Sequence, residues 1–329
     1  MILSIVVPTY NIEKYIERNI ESFNNVEDDL KNLFEVLIIN DGSLDNTLQV
    51  ATEIIKKINT LNIRVVNKAN GGHGSAVNRG IEEARGKYLK VVDGDDWVKK
   101  SDFEEYLKRL KNADVDMVVT NFSKQYTYEN RVELEKVSNV EDFYRSNRIP
   151  RIFPMHSITY KTSILKEHNI KLTEKIFYVD IQYIVFPLKY INNWEYWDLD
   201  VYQYFLGRPD QSMTIENRMK NIEHSQKVTE SILEFYSTLG DVYLKDTVHS
   251  LLKGLLNTRY LLAFLSEDRD RLLKETTDYI RKYNLKYTYD SRMKTSYLLY
   301  INEIHNRRFS FIVYPIVSFK LNRLSKYGI

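Results

Sequence analysis

Short apolar runs alternate with helical stripes through the first 120 residues. Residues 3–7 read as a buried strand stopped by Pro8, and 34–39, 63–66, 88–92 and 115–120 as four more. Between the first two, Ile12, Tyr15, Ile16, Ile20 and Phe23 fall on one face at 3.6-residue spacing, with Asn11 as the cap of that helix. Leu48, Ala51, Ile55 and Ile58 stripe a second helix, a third runs to about Ala84, and Ser101 with Glu104 spells a capping box for a fourth. Alternation of this kind predicts an α/β sandwich. Further on, 180–188 predicts a helix, and 195–199 with 201–205 a pair of strands joined tightly at Asp200. After Thr214 the pattern is amphipathic helix (Ile232, Phe235, Tyr236, Leu239; Leu251, Leu252, Leu255, Leu256) with no strand signal. A boundary is expected near 215, dividing residues 1–215 from a helical part, 216–329.

Charge supports that division. The whole chain carries 47 Lys/Arg and 45 Asp/Glu, a net +2, which excludes a nucleic-acid binder held mainly by bulk charge. Residues 1–215 hold 28 basic and 32 acidic residues (28 − 32 = −4), and 216–329 hold 19 and 13 (19 − 13 = +6). No cysteine is present, so disulfides, thiolate zinc sites and a Cys nucleophile are excluded. The apolar start lacks a basic segment before it and does not read as a signal peptide. The longest apolar stretch, 309–319, is about half a membrane span and is interrupted by Pro315. The expectation is a soluble, cytoplasmic protein.

Polar runs follow each of the first four strands, at the carboxyl ends where an open α/β sheet binds its ligand. In Asp93-Gly94-Asp95-Asp96, residues two apart on an extended strand share a face, so Asp93 and Asp95 repel unless a cation lies between them. Oxygen ligands favour Mg²⁺ or Mn²⁺ over zinc, and Gly94 would let a phosphate approach the backbone. The plainer reading is an Asp-rich turn before Trp97. Asp41-Gly42-Ser43 offers a carboxylate to a pyrimidine N–H or a ribose hydroxyl, or is a simple turn. Gly71-Gly72-His73-Gly74 precedes a helix whose N–H groups could meet phosphate, while His73 has no partner motif and reads as a loop residue. The dinucleotide fingerprint is absent, because Pro8-Thr9-Tyr10-Asn11 stands where its glycines belong. That excludes a nicotinamide dehydrogenase and argues equally against a nucleotidyltransferase.

Four motifs in order resemble the family 2 glycosyltransferases, inverting enzymes with a GT-A nucleotide-sugar domain. They are residues 4–11 (Ser-Ile-Val-Val-Pro-Thr-Tyr-Asn), 40–43 with Asp45 and Thr47, 70–72 through Asn78-Arg79-Gly80, and 92–97 (Val-Asp-Gly-Asp-Asp-Trp). Residues 177–183 resemble the acceptor-side motif, with Val179 where the family has Glu. Residues 154–161 resemble the segment beneath the acceptor, and Tyr202, Tyr204, Arg208, Gln211 and Ser212 the closing stretch. The resemblance implies a donor half of about 1–120 and an acceptor half of about 121–215. It implies that Pro8, Thr9, Tyr10, Asn11 and Asp41 hold uridine and that Ser43, Asn70, Gly72, Asn78 and Gly94 line the donor site. Asp93 and Asp95 would meet the ribose and a Mn²⁺ or Mg²⁺ ion, Asp96 would stand behind them, and Arg208 would steady the pyrophosphate.

An acceptor hydroxyl needs a base opposite the departing UDP, and Asp180 is the residue expected to supply it. The alternative for Asp180 is a helix N-cap. The alternative function is an inactive nucleotide-sugar-binding or scaffolding paralogue, for which Val179 is the argument. The family implies a hydroxyl of a glycan, teichoic acid or glycoprotein as acceptor, on a lipid carrier or not. Residues 306–329, basic and aromatic without an acid, suit either a peripheral membrane contact or a core-facing helix, and the C-terminal helices a homo-oligomer.

Overall fold

A computed structural model of the chain describes residues 1–126, 129–137, 148–207 and 215–325. Arg208, Gln211 and Ser212 lie outside the described residues. The chain divides into two compact units, Met1–Gln211 and Ser212–Ile329.

In the first unit β1 (Leu3–Thr9), α1 (Ile16–Asn24), β2 (Phe34–Asp41), α2 (Thr47–Ile55), β3 (Asn62–Lys68), α3 (His73–Glu83) and β4 (Tyr88–Val91) form the α/β repeat. The chain continues through β5 (Trp97–Val98), α4 (Lys100–Leu110), β6 (Met117–Tyr126), β7 (Arg131–Glu135), β8 (Ile158–Lys161), α5 (Thr162–Glu167), α6 (Asp180–Val185) and β9 (Trp194–Leu206). One sheet runs in the order β3-β2-β1-β4-β8-β6-β9-β5, with β7 paired to β6. The first four of these strands are parallel, with Leu3 opposite Phe34 and Tyr88. Strands β1 and β2 are buried along their whole length, as a sheet covered on both faces requires. Chain order reverses at β1, which has β2 on one side and β4 on the other. The crevice between the carboxyl ends of β1 and β4 is therefore the switch point where such sheets take ligands.

Several local readings are corrected by tertiary contacts. Strand β1 does not stop at Pro8 but runs to Thr9, and the Pro8 carbonyl accepts the Gly94 N–H at 3.3 Å. Helix α1 begins at Ile16 rather than behind Asn11. Asn11 has a φ of 52°, and its side-chain oxygen accepts the Leu44 N–H at 2.8 Å across to the next loop. No capping box forms on α4: Ser101 donates to Asp102 at 3.0 Å, and Glu104 accepts the Glu27 N–H at 3.0 Å. The two strands expected around Asp200 are one strand, β9, paired in parallel with β6. A bulge sets Trp197 opposite Thr120 and Asp200 opposite Asn121, so the irregularity at Asp200 is absorbed without a turn.

The second unit contains α7 (Ile215–Lys220), α8 (Ile222–Ser237), α9 (Val242–Leu265), α10 (Arg269–Lys282), α11 (Lys294–Ile304) and α12 (Ser310–Ser325), and no strand among its described residues. Its core is Ile232, Leu233, Leu252, Leu256, Tyr260, Leu273, Leu299 and Val317. Arg259 is buried with them, donating to Thr276 at 2.9 Å and pairing with Glu275 at 3.4 Å. No helix among the described residues is long and apolar enough to cross a membrane.

Helix α3 lies on β1 so closely that a Cβ on Gly80 would overlap the Val6 side chain. Gly80→Ala is expected to lower stability by about 1–3 kcal/mol, because overpacking at a helix–sheet contact outweighs alanine's better helix propensity. A fall in the urea midpoint of the variant checks this.

Candidate active site

The switch point is walled by three loops that are bonded to each other. After β1, Asn11 and Ser43 are joined by the Asn11 N–H to the Ser43 hydroxyl at 3.1 Å, and Ser43 donates to Asn40 at 2.6 Å. The Ile12 N–H reaches Thr47 at 2.8 Å and the Glu13 N–H reaches Asp45 at 3.1 Å. Thr9 is buried and donates to the Ile39 carbonyl at 3.1 Å, while Tyr10 projects from the rim.

Asp41 is buried, and its carboxylate accepts the Gly71 and Gly72 N–H groups at 2.9 and 2.7 Å and pairs with Lys68 at 2.6 Å. Asn70 donates to the Asp41 carbonyl at 2.9 Å. The N–H groups of Gly71 and Gly72, which precede α3, are therefore engaged by Asp41. Gly72 has a φ of +82°, and a Cβ there would press on Lys175 at 3.2 Å. Asn78, expected in the donor site, is buried in α3 and clamps the Leu172 backbone: it accepts the Leu172 N–H at 2.8 Å and donates to its carbonyl at 2.9 Å.

The acidic stretch is a turn and not an extended strand, so the two-residue periodicity does not apply to it. Strand β4 ends at Val91, and the Asp96 N–H closes onto the Asp93 carbonyl at 3.0 Å. Asn19 of α1 holds the turn by donating to the Asp93 and Asp96 carbonyls at 3.2 and 2.8 Å. Arg18 donates to the Asp95 carbonyl at 2.9 Å and stacks its guanidinium on Trp97. The vacant side of Gly94 faces Ile12 and Thr9, which a Cβ would strike.

Asp96 is the buried member of the turn. Its carboxylate accepts the Tyr202 hydroxyl and, at 2.7 Å, the Phe205 N–H, both from β9. Burial, then the charges of Asp95 and Asp93, push its pKa well above the usual carboxylate range. Asp93, Asp96 and His156 each bring one ligand atom within 4.8 Å of the others. The His156 ring is stacked on Tyr204 at 4.3 Å, and its Nδ1 is buried with no hydrogen-bond partner. Burial pulls the His156 pKa down to about 4, with Lys90 and Lys124 adding to the effect, so the ring is neutral and its lone pair is available to a cation. Lys90, buried in β4, holds the backbone there by donating to the His156 carbonyl at 2.7 Å. Two carboxylates and an imidazole fit a divalent cation, the carboxylate oxygens suiting Mn²⁺ and the imidazole setting the group apart from the oxygen-only set that Mg²⁺ prefers. Asp95 is outside that group of three, yet its charge is felt by both Asp96 and His73.

His73, read from sequence as a loop residue, opens α3 and places Nε2 3.1 Å from Asp93 Oδ1. Burial would lower its pKa, but the bond to Asp93 and the charges of Asp93, Asp180 and Asp95 raise it instead. Asp180 is the first residue of α6, with Val179 in the cap position. Burial raises the Asp180 pKa; His73 lowers it, Asp93 raises it, and the N–H groups of Ile181 and of Asp180 itself lower it. The site thus brings Asp180 into the field of His73 and Asp93, a juxtaposition that more than 80 intervening residues concealed from the sequence pattern.

A mixed sheet whose parallel half carries an acidic turn at its switch point, followed by a helical C-terminal part, is the frame of a GT-A nucleotide-sugar transferase. The chain belongs to glycosyl transferase family 2, whose model matches residues 4–173. EpsJ of Bacillus subtilis (strain 168), described as an uncharacterized glycosyltransferase, is 30% identical over 250 residues, 73% of this chain and 71% of that protein. The crystal structure of S. aureus TarS 1-349 in complex with UDP-GlcNAc superposes with a TM-score of 0.67 at 19% identity, covering 94% of this chain and 90% of that one. The mannosyltransferase PcManGT of Pyrobaculum calidifontis, in complex with GDP-Man and Mn²⁺, gives 0.56 at 13% identity, covering 93% and 88%. The protein is a glycosyltransferase that takes its sugar from a nucleotide-sugar donor.

Tyr202→Phe removes the hydroxyl that donates to buried Asp96. It is expected to lower stability by about 1–3 kcal/mol and to weaken UDP binding more in the presence of Mn²⁺ than in its absence. Thermal melts with nucleotide, with and without the ion, measure both effects.

Proposed function

We propose that the protein transfers a hexose or N-acetylhexosamine from a UDP-sugar to a hydroxyl of a glycan, teichoic acid or glycoprotein acceptor, with inversion at the anomeric carbon. One observation carries this reading: Asp93, Asp96 and His156 converge at the switch point, with Asp180 and His73 in electrostatic contact with the same place. The UDP-GlcNAc bound by TarS and the Mn²⁺ bound by PcManGT supply the precedent for donor and ion.

Tyr10 and Asn11 would border the uracil and ribose, with Pro8 and Thr9 as the floor and Ser43 locking the loop. Asp41, with Asn70 and Gly72, shapes the wall opposite and keeps Lys68 beside it. Arg208 remains the proposed cation for the pyrophosphate. Asp93, Asp96 and His156 would hold the divalent ion, with Asp95, the ligand expected from sequence, adding its charge beside them, while the bonds of Asp96 to β9 fix the turn that presents them. When bound, the ion neutralises charge that builds on the diphosphate as the glycosyl bond breaks. Asp180 accepts the proton of the acceptor hydroxyl as that oxygen attacks the anomeric carbon from the side opposite UDP. His73 balances the negative charge of Asp93 and Asp180 through the same step.

Asp180→Asn is expected to cut transfer by about 10²–10⁴-fold and to leave UDP affinity unchanged; near-normal turnover would assign the base elsewhere. Asp180 must be ionised to act, and burial raises its pKa. Activity should therefore fall as pH drops through a midpoint above the ordinary carboxylate range, and kcat against pH reads that midpoint. In a thermal-shift screen with Mn²⁺, the true donor at 100 times its Kd adds about 2.7 kcal/mol of stability. An absence of any shift with UDP-sugars would turn the assignment towards another nucleotide.

A further inference from the structure

Helix α12 wears its apolar face outward. Phe311 is 76% exposed, Phe319 71%, Ile312 50% and Ile316 41%, while the side turned to the protein is built from the smaller Val313 and Val317 with the Tyr314 ring against Phe264. At 100° per residue, Phe311, Ile312, Pro315, Ile316 and Phe319 fall within an arc of about 140°. Isolated exposed apolar residues are ordinary, but a continuous ridge with two phenylalanines is an interaction surface.

The charges around the ridge decide what covers it. Residues 304–329 contain no Asp or Glu. Arg308 precedes the helix on the exposed side and Lys320 flanks the arc. Arg307 is not part of this set, because Glu303 at 2.9 Å and Asp270 at 2.8 Å neutralise it. A second copy of the chain docked ridge to ridge would bring these cations together with no acid on the helix to offset them. An anionic bilayer answers both features at once: the aromatic ridge enters the headgroup–acyl boundary while the basic residues meet lipid phosphates.

We propose that α12 docks the protein on an anionic membrane surface, lying in the interface with Phe311, Ile312, Ile316 and Phe319 inserted and Arg308 and Lys320 against the headgroups. This surface is independent of the sugar-transfer site, so its failure would leave the enzyme assignment standing.

Flotation of the full chain with phosphatidylglycerol-containing vesicles, against pure phosphatidylcholine vesicles, tests it. The protein should float with the anionic vesicles only, and less as salt is raised. The double substitution F311S/F319S should abolish flotation. R308Q and K320Q should each weaken partitioning by roughly five-fold. UDP binding of all these variants should match the parent, which shows that they fold. No flotation, equal flotation with both lipids, or full flotation of F311S/F319S would each overturn the proposal. So would sedimentation showing a dimer that F311S/F319S converts to monomer while the parent ignores vesicles, since the ridge would then join two copies.

Discussion

A buried carboxylate shared between two distant strands organises the first unit. Asp96 belongs to the turn after β4, yet both its oxygens are held by β9, through the Tyr202 hydroxyl and the Phe205 N–H. That contact closes the far side of the sheet onto the switch point and brings Tyr202 and Tyr204 against His156. It also concentrates negative charge: Asp93 and Asp95 stand close enough to raise the Asp96 pKa further. Three acids gathered in a partly dry crevice are unfavourable alone and favourable around a cation.

The second side of the crevice is held with comparable care. Asn78 pins Leu172, Gln182 bonds the Thr173 N–H at 2.8 Å, and the Lys175 N–H donates to the Gly71 carbonyl at 2.6 Å. Between these anchors Lys175 and Tyr178 adopt φ values of 60° and 69°, a left-handed backbone that side chains resist. The segment that delivers Asp180 is thus fastened to the glycine turn that Asp41 organises, so the two share one scaffold.

The strands were legible because burial on both faces of a parallel sheet demands continuous apolar runs, as in 3–7 and 34–39. The positions of the polar turns were legible for the same reason. What escaped was wherever a polar side chain had a choice of partner. Asn11, Ser101 and Glu104 have the right types to cap helices, but Asn11 and Glu104 find tertiary partners and Ser101 donates to its neighbour Asp102. The strand period misled at Asp93 and Asp95 because the chain turns there. His73 lies in the glycine-rich run and His156 in the segment resembling the one beneath the acceptor, but nothing local names their partners; the folding of α3 and the segment before β8 brings both to the same acidic turn. The closing stretch at Tyr202 and Tyr204 was visible through the family resemblance, although its hold on Asp96 was not.

The continuity of β6 and β9 bears on how this architecture can be recombined. Strand β6 runs unbroken from Met117 to Tyr126, pairs with β9 along that length, and β9 in turn carries β5 from the donor side. A chimera spliced near residue 120 would cut through a hydrogen-bonded ladder and replace the residues that grip Asp96. Exchanging the part after residue 120 between homologues therefore also exchanges the β9 residues that hold Asp96, so the turn and its grip have to be matched together.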